Sequence, residues 1–271
     1  MPSATAPIAV FDSGVGGLTV VSALRRALPS ENIVYLGDTA RVPYGGKTRV
    51  TIERYSEEIV RMLVDDGAKM VVVACNTASA LALGRLRQVF PVPIEGVIAP
   101  GVEAALAATR TGHVVVMGTK ATIGSRAYDE ALRAARPDIR VTGIACPLLV
   151  PLIEEGMLED EVTDAVLRRY LAGLRASDAD TLVLGCTHYP LLAPAIARAA
   201  GPGITLVDSA ANCARVVGGH LEDSGLRNGG PSGGLHVCFT DPPDRFLGVA
   251  GGVLGLETGS VEVKKVPPLG Q

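Results

Sequence analysis

The sequence has no run of about 18 consecutive apolar residues, which is the length that a membrane-spanning helix requires. Its amino-terminal stretch, MPSATAPIAVFDSG, also lacks the positive region followed by an apolar segment that marks a secretory signal. Basic residues are not in excess, because 25 Lys and Arg stand against 28 Asp and Glu. We therefore expect a cytoplasmic protein with no membrane and no nucleic acid as partner, acting on a small soluble substrate.

The five cysteines form neither a CxxC pair nor, with the four histidines, a spacing typical of metal ligands. An odd number of scattered cysteines predicts reduced thiols and no bound metal. The stretch DSGVGGLTV (12–20) does not complete the GxGxxG dinucleotide motif, because position 19 is Thr. No pyridoxal-binding lysine motif is visible either, so we expect no cofactor.

Short apolar runs rich in β-branched residues alternate with segments of helical character. The strand-like runs are IAVF, NIVYLGD, MVVVAC, VVVMGT, RVTGIAC and TLVLGC. Such runs are continuous rather than alternating, which is typical of parallel strands covered by helices on both faces. With 48% hydrophobic residues the chain can bury a sizeable core, and the pattern predicts an α/β architecture.

The clearest helix is predicted between Arg49 and Asp66, where apolar residues recur at three- and four-residue steps and Gly67 would end it. Boundaries are indicated by Pro91, Pro93 and the IAPG run (98–101), and again by AAGPGITLVDSA (199–210). Beyond the second boundary we expect a glycine-rich loop (225–234), a strand, a helix that begins near Asp241 to Asp244, and a last strand, SVEVKKV.

Two strand-like runs end in the same way, in VVVACNTASA (71–80) and in TLVLGCTHYP (181–190). Ligands in open α/β sheets bind beyond the carboxyl ends of the strands, so we expect Cys75 and Cys186 to reach one cleft. The amide, hydroxyl and imidazole groups that follow these two cysteines would not be stabilised by burial in an apolar core. For Cys146, Cys213 and Cys238 we favour the simpler interpretation of a small buried hydrophobe.

A site with two thiols suits three kinds of chemistry. These are a nucleophilic thiol beside a histidine, a redox pair, and two acid–base groups on opposite faces of one carbon. A facing pair fits the third best. Because an ordinary thiol is mostly protonated at neutral pH, a working thiolate needs help, and the nearby ionisable candidates are Asp12, His188 and Glu154. A packed core histidine at position 188 and a helix-capping role for Asp12 stay open as alternatives.

Two loops have the composition of ligand-binding segments. In DSGVGGLTV, Ser13 and the backbone amides at a helix start would hold a carboxylate. In DTARVPYGGKT (38–48), Tyr44 and Gly45 would close over a ligand, although the same letters would suit a simple turn.

Taken in order, FDSGVGGLTV, YLGDTARVPYG, ACNTASA, GVIAPGVEAA, MGTKATIGSRAY, ACPLLVPLIEEG and LGCTHYPLL resemble the bacterial glutamate racemases of the aspartate/glutamate racemase family. The resemblance implies two pseudo-symmetric α/β lobes, each a mostly parallel sheet flanked by helices, with the active site in the cleft between them. The first lobe would comprise residues 1–98 plus 206–271, and the second, 99–205, would be inserted in it.

The resemblance also implies that L-glutamate and D-glutamate are interconverted without a cofactor, with Cys75 and Cys186 as the two bases and D-glutamate destined for peptidoglycan. Substrate-binding positions carried over from the family motifs are Asp12, Ser13, Tyr44, Gly45, Asn76, Thr77, Thr119, Thr122, Thr187 and His188. A homodimer is left open. Two alternative functions also stay open, namely a racemase for aspartate and a non-catalytic two-lobed protein that binds an amino acid.

Overall fold

The structure, a computed structural model, describes residues 3–242, 255 and 261–270 of the 271-residue chain. Within these residues ten strands form two sheets. The larger sheet contains β1 (Ile8–Asp12), β2 (Ile33–Gly37), β3 (Met70–Val73), β4 (Ile94–Gly96), β9 (Leu235–Phe239) and β10 (Val261–Val263), in the order β10-β9-β2-β1-β3-β4. The smaller sheet contains β5 (His113–Gly118), β6 (Arg140–Ala145), β7 (Thr181–Gly185) and β8 (Thr205–Val207), in the order β6-β5-β7-β8.

Every strand pair of the two sheets in this part of the chain is parallel, and helices connect the strands. The helices are α1 (Leu18–Ala27), α2 (Arg49–Asp65), α3 (Asn76–Leu81), α4 (Leu83–Val89), α5 (Ile98–Ala108), α6 (Lys120–Ser125), α7 (Ala127–Ala135), α8 (Leu149–Glu154), α9 (Glu161–Tyr170), α10 (Ala193–Ala200) and α11 (Ser209–Asp223). Among the described helices, none combines the length and the apolar character needed to cross a membrane.

The predicted α/β architecture is confirmed. All six strand-like runs form strands, and β1, β5 and β7 are buried along their whole length, as continuous apolar runs require. The sequence analysis missed β4 and β8, because each has only three residues and offers too short a pattern to recognise. The strand predicted after the glycine-rich loop is β9, and β10 lies within the predicted SVEVKKV strand.

The predicted helix after Arg49 is confirmed as α2. The Thr48 hydroxyl caps it by accepting a hydrogen bond from the backbone N–H of Thr51 at 3.4 Å. Beyond its carboxyl end, Gly67 adopts a positive φ of 91°, a conformation that glycine reaches without strain.

The IAPG run (98–101), which the sequence predicts to mark a boundary, is helical. It opens α5, because Pro100 lies in the first turn, where a backbone N–H has no partner to lose. The smaller sheet also continues to Val207, since β8 pairs with β7 two residues past the boundary drawn after residue 205. The helix expected near Asp241 to Asp244 falls largely outside the described residues.

The two sheets share one apolar core. Buried side chains of the larger sheet, such as Val10 and Val72, belong to the same cluster as Val115 and Leu184 of the smaller sheet. Helix α11 contributes to this cluster and packs against both α1 and α5. Burial of this shared surface brings the carboxyl ends of strands from both sheets to a common cavity.

Candidate active site

The carboxyl ends of β1, β3, β5, β6 and β7 surround a cavity of about 400 Å³, a volume suited to a small metabolite. Its walls include all but two of the predicted site residues. Those that line it are Ser13, Tyr44, Gly45, Cys75, Asn76, Thr77, Thr119, Glu154, Cys186, Thr187 and His188. The predicted residues that do not line it are Asp12 and Thr122, which lie behind the wall.

Cys75 enters the cavity from the larger sheet, at the position that precedes α3. Its Sγ lies 3.7 Å from the Ser13 hydroxyl, and the side chain is 5% exposed. Burial, with a further contribution from the negative charge of Asp12, raises the pKa of Cys75 to about 12. Hydrogen bonds from the backbone N–H of Ala78 and from Ser13 oppose this shift. Cys75 therefore rests as a protonated thiol.

Cys186 enters the same cavity from the smaller sheet, directly after β7. Its Sγ is 3.9 Å from Nδ1 of His188, and Nε2 of that ring is 3.1 Å from Oε1 of Glu154. Burial lowers the pKa of His188, but hydrogen bonds to Cys186 and Glu154 more than offset it and raise the pKa to about 10. The His188 ring thus connects the Cys186 sulfur to the Glu154 carboxylate.

Asp12, the last residue of β1, is fully buried beneath the Ser13 loop. It accepts hydrogen bonds from the backbone N–H of Gly14 at 3.0 Å and from the Thr187 hydroxyl at 3.2 Å, and another from the N–H of Gly17. Burial raises its pKa, while the nearby His188 opposes the shift. The carboxylate thus supports the loop before α1 and connects it to the segment after β7.

At Gly16, the loop before α1 lies very close to Thr187 and His188, which follow Cys186 and form with it the Cys186 segment. A Cβ built on Gly16 would lie 2.6 Å from the Thr187 hydroxyl oxygen and closer still to Nδ1 of His188. The Thr19 hydroxyl, one turn further along, donates to the Gly16 carbonyl at 2.9 Å. Only glycine fits at position 16 without displacing the side chains beside Cys186.

Three threonine hydroxyls form a cluster at another part of the cavity wall. Thr77 lies 3.0 Å from Thr119 and 3.3 Å from Thr122, and the Thr119 and Thr122 hydroxyls are 3.0 Å apart. Thr119 also caps α6 by accepting from the backbone N–H of Thr122 at 3.1 Å. Thr122 thus lies behind the cavity wall and positions Thr77 and Thr119, which face the cavity.

Asn76 is held from outside the cavity by a residue that the sequence analysis did not single out. Its Nδ2 donates to the Tyr128 hydroxyl at 2.8 Å, and that hydroxyl is also hydrogen-bonded to Ser209. Tyr128 is 3% exposed, and burial raises its pKa. Tyr128 is the last residue of the motif MGTKATIGSRAY, so the sequence did mark this position. Only the fold shows which residues Tyr128 contacts.

The predicted lid loop is anchored by a second missed residue, Asp38. The Tyr44 hydroxyl donates to Asp38, which also accepts from Nε of Arg41 at 2.7 Å and from the Thr240 hydroxyl at 2.9 Å. Because the Tyr44 hydroxyl is hydrogen-bonded to Asp38, the loop presents the aromatic ring of Tyr44 and the neighbouring backbone to the cavity. Gly45 packs so closely that a Cβ there would come within 2.8 Å of Thr119.

An apolar wall completes the cavity and was not predicted. It consists of Val42, Pro43, Cys146, Pro147, Val150 and Pro151. Cys146, which we interpreted as a buried hydrophobe, is fully buried, and burial raises its pKa to about 12, but the residue does line the cavity. Cys213 and Cys238 are both buried and line no part of it.

Comparisons with known proteins agree with one another. The model of the Asp/Glu/Hydantoin racemase family matches residues 17–217. A glutamate racemase of Geobacter metallireducens is 49% identical over 259 residues, covering 94% of each chain. A crystal structure of a glutamate racemase isoform from Bacillus anthracis matches with a TM-score of 0.92 and 36% identity, covering 97% of this chain and 98% of that one. A glutamate racemase from Francisella tularensis, solved with D-glutamate, matches with a TM-score of 0.91, 34% identity and the same coverage.

Proposed function

The chain belongs to the Asp/Glu/hydantoin racemase family, whose members are isomerases, and from this premise we propose that it interconverts L-glutamate and D-glutamate without a cofactor. The observation that carries the proposal is that Cys75 and Cys186 reach one cavity from different sheets. Cys75 comes from the larger sheet and Cys186 from the smaller one. Two acid–base groups on separate elements are what racemisation at one carbon requires.

In the proposed reaction, one thiolate removes the α-proton of glutamate and becomes a thiol. The electron pair of the broken C–H bond stays on the α-carbon and is delocalised into the adjacent carboxylate. The opposing thiol then donates its proton to the other face of the carbon and becomes a thiolate. Charge and protons balance, and the reverse direction exchanges the two roles.

The two sulfurs lie in different surroundings. Cys75 lies in a dry environment near the Asp12 carboxylate, which favours the neutral thiol. Cys186 lies beside a protonated His188 that is itself held by Glu154. We infer that Cys75 rests as the acid of the pair.

Without a cofactor, the negative charge that develops on the substrate must be stabilised by fixed hydrogen-bond donors. Ser13, Asn76, Thr77 and Thr119 supply them at the cavity wall. Each is held by a neighbour, as the threonine cluster and the Tyr128 contact illustrate. Donors fixed before the reaction need no reorganisation as the charge forms, so they favour the transition state over the ground state.

Solvent exchange tests the mechanism. In heavy water, purified protein without added cofactor should form the opposite enantiomer with deuterium at the α-carbon, measured by circular dichroism and NMR. Cys75→Ala and Cys186→Ala should each lower kcat by at least about 100-fold, the smallest effect common for a lost acid–base group. Cys213→Ala, buried away from the cavity, is the matched control and should keep normal turnover. Racemisation that survives in either site variant would refute the two-base assignment.

Two competing functions predict different outcomes. An aspartate racemase would turn over aspartate faster than glutamate, so the ratio of the two kcat/KM values decides between them. A non-catalytic binding protein would bind glutamate with unchanged affinity after both cysteines are replaced and would incorporate no deuterium.

We further propose a first lobe of residues 1–98 plus 206–271 and an inserted second lobe of 99–205. The two sheets support this division, although the strand pairing of β8 moves the second boundary to residue 207. The bacterial origin of the relatives supports a cytoplasmic role in supplying D-glutamate to peptidoglycan. Growth of a D-glutamate auxotroph on this gene without added D-glutamate tests the role, and light scattering tests for a homodimer.

A further inference from the structure

A second group of reactive side chains lies on the edge strand β10 of the larger sheet and on its neighbour β9. His236 and Cys238 belong to β9, and Glu262 belongs to β10. Nε2 of His236 is 2.7 Å from Oε2 of Glu262, and Sγ of Cys238 is 3.9 Å from the same oxygen. All three donor atoms lie within 4.8 Å of one another. None of these residues lines the active-site cavity.

The strand pairing explains why these side chains converge. Residues two apart on a strand point to the same face, so His236 and Cys238 share a face of β9. The parallel register pairs Cys238 with Glu262, which places the glutamate on that face as well. Glu262 is 24 residues from Cys238 along the chain, which explains why the sequence showed no metal-ligand spacing.

We propose that His236, Cys238 and Glu262 form a binding site for Zn²⁺ or a similarly thiophilic divalent cation, which we call the edge site. Imidazole nitrogen, thiolate sulfur and carboxylate oxygen are all ligands that Zn²⁺ accepts. Zinc bonds of about 2.0–2.3 Å in a tetrahedron require donors roughly 3.4–3.8 Å apart. The observed separations of 2.7 and 3.9 Å lie on either side of this range, so small side-chain rotations bring the donors into place.

The surroundings fit a cation with one remaining open position. His236 and Glu262 are about half exposed, with side-chain exposures of 47% and 49%, so water reaches the fourth position. The Lys264 ammonium, two residues after Glu262, is paired with Asp66 at 2.9 Å. A cysteine binds a metal as the thiolate, so binding would release the Cys238 proton to solvent. A metal held there would tie β10 to β9.

Cobalt provides a direct test, because Co²⁺ bound to a thiolate shows a charge-transfer absorption band. The Cys75→Ala/Cys186→Ala double variant is titrated with Co²⁺ in parallel with the unaltered protein, so that the thiols of Cys75 and Cys186 cannot produce the signal. We expect one equivalent to bind with a thiolate band in both proteins. Adding Cys238→Ser should abolish the band, and adding His236→Gln should weaken binding at least tenfold. Adding Cys213→Ser, the buried control, should leave it unchanged.

Zinc is then tested by competition with cobalt and by thermal unfolding. Zn²⁺ should displace the bound Co²⁺ and raise Tm of the unaltered protein, and His236→Gln should lose most of that increase. His236 is half exposed, so this variant folds even if Cys238→Ser does not. Absence of a thiolate band at millimolar Co²⁺ overturns the edge site, and so does a band that survives both Cys238→Ser and His236→Gln. Neither result bears on the racemase mechanism, which turnover in heavy water tests separately.

Discussion

Gly16→Ala tests whether the close contact between the loop before α1 and the Cys186 segment is required for activity. The added methyl would lie 2.6 Å from the Thr187 hydroxyl oxygen and even nearer to His188. Real Cβ contacts are not that short, so one side must move. Both Thr187 and His188 are buried, at 7% and 4% exposure, and cannot swing into solvent.

The size of the effect follows from this geometry. Inserting a methylene into a packed site typically costs about 1–3 kcal/mol of stability. A displacement of about 1 Å at catalytic groups lowers the rate by roughly 100-fold. Because the clash acts on the residues that hold charge beside Cys186, we expect kcat/KM for glutamate to fall by about two orders of magnitude, which corresponds to about 2.7 kcal/mol. The fold should persist with a moderately lower Tm.

The assay is polarimetric or circular-dichroism racemisation in both directions, combined with thermal unfolding of the same samples. Gly84→Ala is the matched control, because a Cβ there meets nothing within 4 Å. That variant should keep its activity and be equally or slightly more stable, since alanine is the better helix former. Normal kcat/KM in Gly16→Ala would refute the reasoning, and complete unfolding would show that the contact serves the fold more than the site.

Three further outcomes are expected. Tyr128→Phe removes the acceptor of the Asn76 amide at 2.8 Å, so kcat/KM should fall by about tenfold, the equivalent of about 1–1.5 kcal/mol, with KM and kcat measured separately. Lys69→Met leaves Glu31 buried without its partner at 2.5 Å and should cost about 3–5 kcal/mol in urea unfolding, and adding Glu31→Leu should recover most of it. Because the folded pKa of His188, about 10, lies above the ordinary 6.5, its contribution to stability should be complete below about pH 6.5 and lost as pH rises towards 10. His188→Gln should flatten that pH dependence, measured by urea unfolding across the range.

The sequence by itself determined the α/β class and the strands that carry the site. In a strand with a continuous apolar run, such as MVVVAC or TLVLGC, the side chains on both faces must be buried. Parallel sheets covered by helices on both faces provide that environment. Since ligands bind where such strands end, the positions of Cys75 and Cys186 and the polar residues that follow them were enough to predict that both cysteines reach one cavity. The prediction needed no knowledge of what lies across the cavity.

Contacts between residues that are distant in the chain could be seen only in the folded structure. Tyr128 holds Asn76, and Asp38 engages the Tyr44 hydroxyl. The apolar wall that includes Cys146 was missed as well, because nothing local distinguishes a buried cysteine from one on a cavity wall. Such contacts depend on packing between elements, and local sequence periodicity records only which face of an element is buried.

The protonation states illustrate the same division. The sequence identified Asp12, Glu154 and His188 as ionisable neighbours of the thiols, but it could not say how burial and charge act on each of these groups. Burial raises the pKa of Cys75, and the hydrogen-bonded pair of His188 and Glu154 places positive charge beside Cys186. Desolvation and charge proximity are properties of three-dimensional distance, and only the folded chain fixes those distances.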